Sequence, residues 1–462
     1  MNKAVTIGKV VRGGYCVGCG GCASGKSGVT MRINDIGMPE PVHPRLDDIA
    51  ADSCPFGDAP DETRLANALY AGIPGIEHHP STGFHSSLYA GHAVVGPHRA
   101  AGSSGGLTSW VLEELLTRGE VDAVIHVGRG PGDGIFEYLI SSSVEEMRPR
   151  VKSLYYPTGF HDVLEQVRRE QGRTFAITGV PCHIKALRLV VESDPLLRGK
   201  IKFFVGIFCG HMKSRGFVES FGWQLGIEPD QVTDVDFRVK DETRPANDYS
   251  IQVSSATRVE RTENFRLYGS DWGLGLFKPL ACDFCDDVAC ETADVVMGDA
   301  WLPEYVKDSL GTNVVIVRHP LIARLLSEAR DRGDIALDPI EPAKIHQSQA
   351  ATFRHRGEGL QVRLAHMDAR GIWRPSKRVQ PGDAGLPRLR QRLYITRMRL
   401  SQASHRALRD AKKRGGLAWY FLRLLPYDVL YNYQNRQLLR RTYRTLRAML
   451  QSLVLRPLGR KP

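Results

Sequence analysis

No run of about 18 or more apolar residues occurs anywhere in the chain, so nothing in it is built to cross a bilayer as a helix. No charged segment followed by an apolar one opens the sequence, which argues against secretion. Internal repeats and low-complexity stretches are also missing, and no Ser-His-Asp set or pair of carboxylates points to hydrolysis. Cysteine is scarce, with nine in 462 residues, and the nine are odd in number and clustered. That pattern disfavours a disulfide framework and fits thiolates holding metal in a reducing cytoplasm. Hydrophobic content of 42% and charged content of 24% are ordinary; the length allows two or three domains with ample core.

Acidic residues are nearly absent from one end. From Ser376 to Pro462 there are 21 Lys/Arg and only three carboxylates, Asp383, Asp410 and Asp428, a net of +18, although the whole chain carries only +11. The body is therefore mildly acidic, and a body of that sign gives no support to sequence-specific nucleic-acid binding as the main activity.

The clearest motif is Cys16-x2-Cys19-x2-Cys22, followed after 31 residues by Cys54-Pro55. In bacterial ferredoxins one 4Fe-4S cube takes three closely spaced thiolates and one distant Cys-Pro cysteine, so one full ligand set is present. The glycines of Val17-Gly18-Cys19-Gly20-Gly21 let the backbone wrap tightly around such a cube. A zinc knuckle, built from C-x2-C pairs in a tetrahedral set, is the competing reading.

Residues 1–75 are expected to form a ferredoxin-like 4Fe-4S module, followed by a linker with Gly72-Ile73-Pro74-Gly75 and His78-His79-Pro80. The pattern then becomes α/β. Strands are expected at 93–95, 121–127, 174–180, 201–208, 293–297 and 313–317, with helices over 107–116 and 181–191. Alternation of this kind predicts a partly parallel sheet. The segment Gly102-Ser103-Ser104-Gly105-Gly106-Leu107-Thr108 opens the first of those helices. Its amides, hydroxyls and helix start suit a flavin or nucleotide phosphate, although it is neither a Walker loop nor G-x-G-x-x-G; a flexible loop capped by Ser or Thr is the alternative.

A second cysteine group comprises Cys182, Cys209, Cys282, Cys285 and Cys290. Cys182 and Cys209 each follow an apolar strand, where a βα loop brings side chains to the rim of a sheet. Four thiolates of this group would complete a second cluster.

The N-terminal motif together with the 102–108 loop, Thr178-Gly179-Val180-Pro181-Cys182-His183, Phe208-Cys209-Gly210-His211 and the stretch from Lys278-Pro279-Leu280-Ala281-Cys282 to Met297-Gly298-Asp299-Ala300-Trp301 resembles the family of coenzyme F420 hydrogenase/dehydrogenase beta subunits over roughly residues 10–345. The resemblance implies an iron-sulfur flavoprotein oxidoreductase that passes electrons between a one-electron carrier and a two-electron acceptor through FAD, with ferredoxin or coenzyme F420 as electron partner. Two 4Fe-4S clusters are expected, one on Cys16, Cys19, Cys22 and Cys54 and one on Cys182, Cys209, Cys282 and Cys285, with Cys290 as an alternative fourth ligand. The family's flavin loop maps onto Ser103, Ser104, Gly105, Gly106 and Thr108, and Lys152, Ser153 and Tyr155 resemble a segment near the flavin. His126, His183, His211 and Asp299 lie near the motifs as candidate proton donors; for each, a structural hydrogen-bonding role competes. Some members are associated with cell-surface polysaccharide biosynthesis, so the alternative function is a non-catalytic electron-transfer or accessory subunit, and a partner subunit is expected in that case.

The expected fold is an α/β core of mixed sheet with the iron-sulfur module in front and a basic α-helical tail behind. Its parts are a flavin-binding segment (80–165), a second half carrying the later cysteines (166–345), a linker (346–386) and a basic amphipathic tail (387–462). The tail's Trp419, Tyr420 and Phe421 and its interleaved Arg and Leu suit peripheral contact with an anionic membrane on its inner face; helices packed on the body with arginines in water are the alternative.

Overall fold

Short runs of β-branched residues in which every side chain is buried, such as Asn313–Val317, build the centre of the molecule. The computed structural model describes residues 4–25, 28–132 and 134–455. Eight strands form the main sheet: β1 (Ser87–Ala93), β2 (Ala123–Gly128), β3 (Glu137–Ser141), β4 (Phe175–Gly179), β5 (Ile201–Ile207), β6 (Val295–Asp299), β7 (Asn313–Val317) and β8 (Ile335–Pro339). Their order is β8-β1-β7-β6-β5-β4-β2-β3. Strands β2, β4, β5 and β6 run parallel, whereas β7, β1, β8 and β3 are added antiparallel.

Alternation along the strands splits the core between the two faces of this sheet. Val295, Met297, Val315 and Val317 pack under helices α1 (Leu107–Thr117) and α3 (Pro320–Arg332). Val296, Val314 and Ile316 instead meet α2 (Pro181–Ser193) and the N-terminal residues Ile7, Val10, Tyr15, Val17 and Phe56. The cysteine-bearing N-terminus thus shares one core with the sheet. Truncating a residue such as Ile316, fully buried there, should cost about 2–5 kcal/mol.

Between β5 and β6 the chain makes a separate three-stranded antiparallel sheet, Asp234–Val239, Ser250–Ser254 and Val259–Glu263. Three C-terminal helices cover it: α4 (Arg388–Arg414), α5 (Leu417–Gln434) and α6 (Leu438–Leu455). Leu400, Leu408, Leu417, Tyr420 and Phe421 pack there with Phe217, Phe221, Tyr268 and Phe277.

Three expectations need correction. The first strand of the main sheet is Ser87–Ala93, not 93–95; Val94 and Val95 are 56% and 57% exposed, and their N–H groups both donate to the Asp334 carbonyl where the strand leaves the sheet. The stretch 346–386, expected as a linker, carries helices Ala350–Arg356 and Glu358–Asp368. Buried arginines, Arg356 and Arg363, hide their inward face from a hydrophobicity reading. Finally, Tyr420 and Phe421 are buried rather than offered to a membrane, and Trp419 lies between the guanidinium groups of Arg414 and Arg423. Among the described residues no helix is long and apolar enough to cross a membrane.

Candidate functional site

None of the nine cysteines is in a disulfide. Cys16, Cys19 and Cys22 sit in the turn after the helix Ile7–Arg12, and Cys54 in the tight turn from Ala51 to Gly57. Gly20 is left-handed there (φ 81°), and a Cβ on it would lie 2.9 Å from the His161 ring. That close approach holds the loop in place, as does the Phe160 N–H donating to the Cys19 carbonyl at 2.9 Å. The Gly18 amide reaches the Cys16 Sγ at 3.4 Å. Burial pushes the Cys16 thiol well above the usual range, and its neighbours Cys19, Cys22 and Cys54 push in the same direction. The four cysteines therefore lie close enough to influence one another. Burial also raises Cys54, against the opposing pull of the Lys185 and Lys377 ammonium groups.

The second group assembles at the carboxyl ends of parallel strands, the usual location of sites in open α/β sheets. Cys182 starts α2 just after β4, Cys209 follows β5, and Cys282 and Cys285 come from the short 3-10 turn Leu280–Phe284 and the residue after it. These four line one small cavity together with Met212 and Arg356. The Met212 amide donates to the Cys282 Sγ at 3.4 Å. Burial pushes the Cys282 thiol up to about 12 and Cys285 to about 11. Cys290 does not line this cavity. It is fully buried with a left-handed backbone (φ 48°), tucked behind Gly206. Val17 and Phe56, neighbours of the first cysteines, form part of the second cavity's wall, and Cys19 adds to the forces raising the Cys182 thiol. The two groups are adjacent.

Among the described residues no three His, Cys, Asp or Glu side chains are arranged to hold a single metal ion. A cube offers each thiolate its own iron, so its ligands ring a void instead of converging on a point. The cavity's donor set and its charges fit that demand. Arg356 is 3% exposed, donates to the carbonyls of Asp287 and Gly210, and leaves its buried Nε without an acceptor. Negative charge on the sulfurs of Cys285, Cys209 and Cys282 would hold its guanidinium above the ordinary range despite burial. Nearby, Lys278 and Arg363 are buried around one carboxylate, Asp283, while the buried Lys213 donates to the Leu276 carbonyl and lies over Phe217 and Trp272. Burial lowers Lys278 to about 8 and Lys213 well below the usual lysine range, so nearby negative charge is needed to keep them ionised, and a thiolate-ligated cluster would supply it at that place.

The glycine-rich loop precedes α1. Gly106 is left-handed (φ 81°), and a Cβ on it would meet the His98 carbonyl carbon at 2.5 Å, so this glycine is required by the chain's own packing. Gly105 likewise abuts Asn313 at 2.8 Å. Cations surround the loop. Lys240 donates to the carbonyls of Arg99, Ser104 and Leu310, and burial together with Arg238, Lys152 and Arg99 lowers it to about 8. Lys152 pairs with Asp236 at 3.0 Å, and the Ser153 N–H donates to the Ser103 Oγ at 2.8 Å. The structure thus brings the 152–155 segment against the 102–108 loop. Tyr155 then contacts Trp272 at 4.9 Å between ring centroids, and Trp272 contacts His211 at 4.4 Å. His211 is two residues from Cys209, so a continuous line of contacts joins loop to second cysteine group.

The four candidate proton donors differ in what they leave free. His126 bonds the Ser141 Oγ at 2.9 Å, and Asp299 is locked to Arg238 by contacts of 2.8 and 2.9 Å. His183 and His211 each keep a buried Nε2 without a partner. Burial depresses His126 and His183 to about 4 and His211 well below its usual range, leaving all three neutral at pH 7. Sequence reasoning missed Arg356, Lys240 and Trp272; as lone residues outside any motif they give no local signal.

Similarity to known proteins covers most of the α/β region. Two family models of the coenzyme F420 hydrogenase/dehydrogenase beta subunit match the chain, the N-terminal model over residues 88–165 and the C-terminal model over residues 172–343. A subunit of the F(420)H(2) dehydrogenase of Methanosarcina mazei is 23% identical over 249 residues, 52% of this chain and 62% of the relative. The chain thus spans under two thirds of that relative's length. A chain of the F420-reducing [NiFe] hydrogenase complex from Methanosarcina barkeri superposes with a TM-score of 0.49 and 16% identity, covering 65% of this chain and 98% of that one.

Proposed function

The chain belongs to the family of coenzyme F420 hydrogenase/dehydrogenase beta subunits, and from that membership we propose that it is an iron-sulfur flavoprotein oxidoreductase. It passes electrons between ferredoxin and a two-electron acceptor such as coenzyme F420. Cys16, Cys19, Cys22 and Cys54 hold one 4Fe-4S cluster in a ferredoxin-like N-terminal module, and Cys182, Cys209, Cys282 and Cys285 hold a second. The 102–108 loop, Lys152 and Tyr155 hold FAD. Bound clusters supply one-electron chemistry and a bound flavin supplies two-electron chemistry.

The observation that carries this reading is the cavity ringed by four cysteines, which shares Val17 and Phe56 with the first group and buries the unpaired Arg356 Nε. The chain's own residues do three things there. Arg356 and Lys377 place positive charge against the cysteines, Lys152 and Lys240 place it beside the loop, and Tyr155, Trp272 and His211 fill the space between. The Methanosarcina mazei relative is named as one subunit of a dehydrogenase, which supports a protein partner in this case also.

Anaerobically prepared protein should contain about eight irons, eight sulfides and one FAD per chain. Lys152→Gln should weaken FAD retention by about tenfold, through loss of one cation, while iron content stays whole. Gly105 and Gly106 are poor probes, since a side chain there would collide with the chain itself. Protein that retains neither FAD nor FMN after reconstitution would refute the flavin assignment.

A further inference from the structure

On α6 the inward face is the less hydrophobic one. Leu439, Tyr443, Leu446 and Leu450 are 86%, 69%, 40% and 61% exposed, and their spacing of four, three and four residues sets them on one stripe. Thr445, Ala448, Met449 and Ser452 point the other way and are buried. Arg440, Arg444 and Arg447 are exposed on the strip beside the leucines. Helices α5 and α6 together contain a single carboxylate, Asp428; it is fully buried, bonded to Asn432 at 2.6 Å and to Thr445 at 3.0 Å. The outer surface of α6 is thus apolar and cationic with no acidic residue.

We infer that the outer face of α6 docks the protein on a bilayer containing anionic lipids. Leu439, Tyr443, Leu446 and Leu450 enter the headgroup–acyl boundary, and Arg440, Arg444 and Arg447 lie among the lipid phosphates. Charge complementarity chooses this occupant: arginines beside an apolar stripe on a helix without carboxylates are the arrangement of an interfacial helix. An exposed apolar stripe of this length otherwise costs solubility for no return. The Asp428–Asn432–Thr445 bonds tie α6 to α5, and Tyr420 and Phe421 tie α5 to the body, so attachment at α6 holds the whole molecule. This inference is independent of the redox reading and would stand if that reading failed.

The test is cosedimentation of the full chain with vesicles of phosphatidylcholine alone or mixed with phosphatidylglycerol. Binding should require the anionic lipid and weaken as salt rises. Arg440→Gln, Arg444→Gln and Arg447→Gln combined should weaken it by about 100-fold, from roughly tenfold or less per arginine. Leu439→Ser with Leu450→Ser should remove the attachment that persists in high salt. Unchanged circular dichroism and melting temperature show that these surface variants remain folded. No sedimentation with anionic vesicles at low salt overturns the inference. So does binding that both sets of substitutions leave intact, or a vesicle-indifferent dimer that the leucine substitutions dissolve.

Discussion

Replacing Arg356 with Gln should lower the reduction potential of the second cluster by about 100 mV without loss of iron. The guanidinium is 3% exposed, lines the cavity of Cys182, Cys209, Cys282 and Cys285, and has no carboxylate partner among the described residues. Hydrogen bonds to charged groups are worth about 1.5–3 kcal/mol. For a one-electron couple, where a tenfold change in equilibrium is 59 mV, that range converts to roughly 65–130 mV. The sign follows from charge: a cation favours the reduced, more negative state, so its removal makes reduction harder. Arg356→Lys keeps the charge but cannot reach the Asp287 and Gly210 carbonyls together, and should recover about half of the shift. Anaerobic redox titration followed by electron paramagnetic resonance reads the potential directly. If both variants hold about eight irons per chain and titrate like the wild type, Arg356 is not a cluster neighbour. Loss of iron in both would instead identify it as part of the fold that brings the cysteines together.

Cys285→Ser should leave about four irons per chain, whereas Cys290→Ser should leave the iron count unchanged, because Cys290 lies outside the cavity; iron and sulfide assay separates them, and equal losses would return Cys290 to the ligand set. Asp428 gives a pH dependence of stability with a definite sign. Burial raises its carboxyl from 3.8 to about 6, so the folded state binds the proton more tightly than the unfolded one. Its contribution to stability should therefore grow as pH falls from 7 through 6 towards 4, by up to about 3 kcal/mol. Asp428→Asn should flatten that dependence, and chemical denaturation of both proteins at pH 5 and pH 7 checks it; parallel pH profiles would refute it.

The central strands were legible because a strand covered on both faces, whichever way it runs, reads as an unbroken apolar run. Asn313–Val317 falls on its predicted residues, and Phe175–Gly179 and Ile201–Ile207 lie within one residue of theirs at each end. Val94 and Val95 misled because the same run continued past the last sheet bond. The antiparallel additions β1, β3 and β8 were not identified as sheet neighbours, since pairing between residues as distant as Leu88 and Ile316 leaves no local trace. Cysteines were legible for a different reason: their spacing is set by the geometry of what they bind. Arg356 and Trp272 obey no such spacing. They reach the site from helices and loops assigned no role, and only the folded chain shows that one faces four sulfurs and the other links Tyr155 to His211.

The C-terminal helices show where hydrophobic periodicity gives out. Interleaved Arg and Leu at helical spacing establish that α6 is amphipathic, but the helix carries apolar residues on two faces, and sequence alone does not say which is covered. The aromatic cluster at 419–421 looked like the exposed element because it is the most apolar part of the tail, and that same property buries Tyr420 and Phe421 against Tyr268 and Phe277. On α6 the order is reversed. Thr445 and Ser452 are taken inside because buried partners are waiting for their hydroxyls, Asp428 for one and Gln224 for the other at 3.2 Å. Each such bond contributes about 1 kcal/mol when made and costs more when left unmade, so the polar face fixes the rotation of the helix. The leucines are then left outward by default, beside arginines that no carboxylate of α5 or α6 neutralises, and a surface of that composition is the one that suits a partner both apolar and anionic.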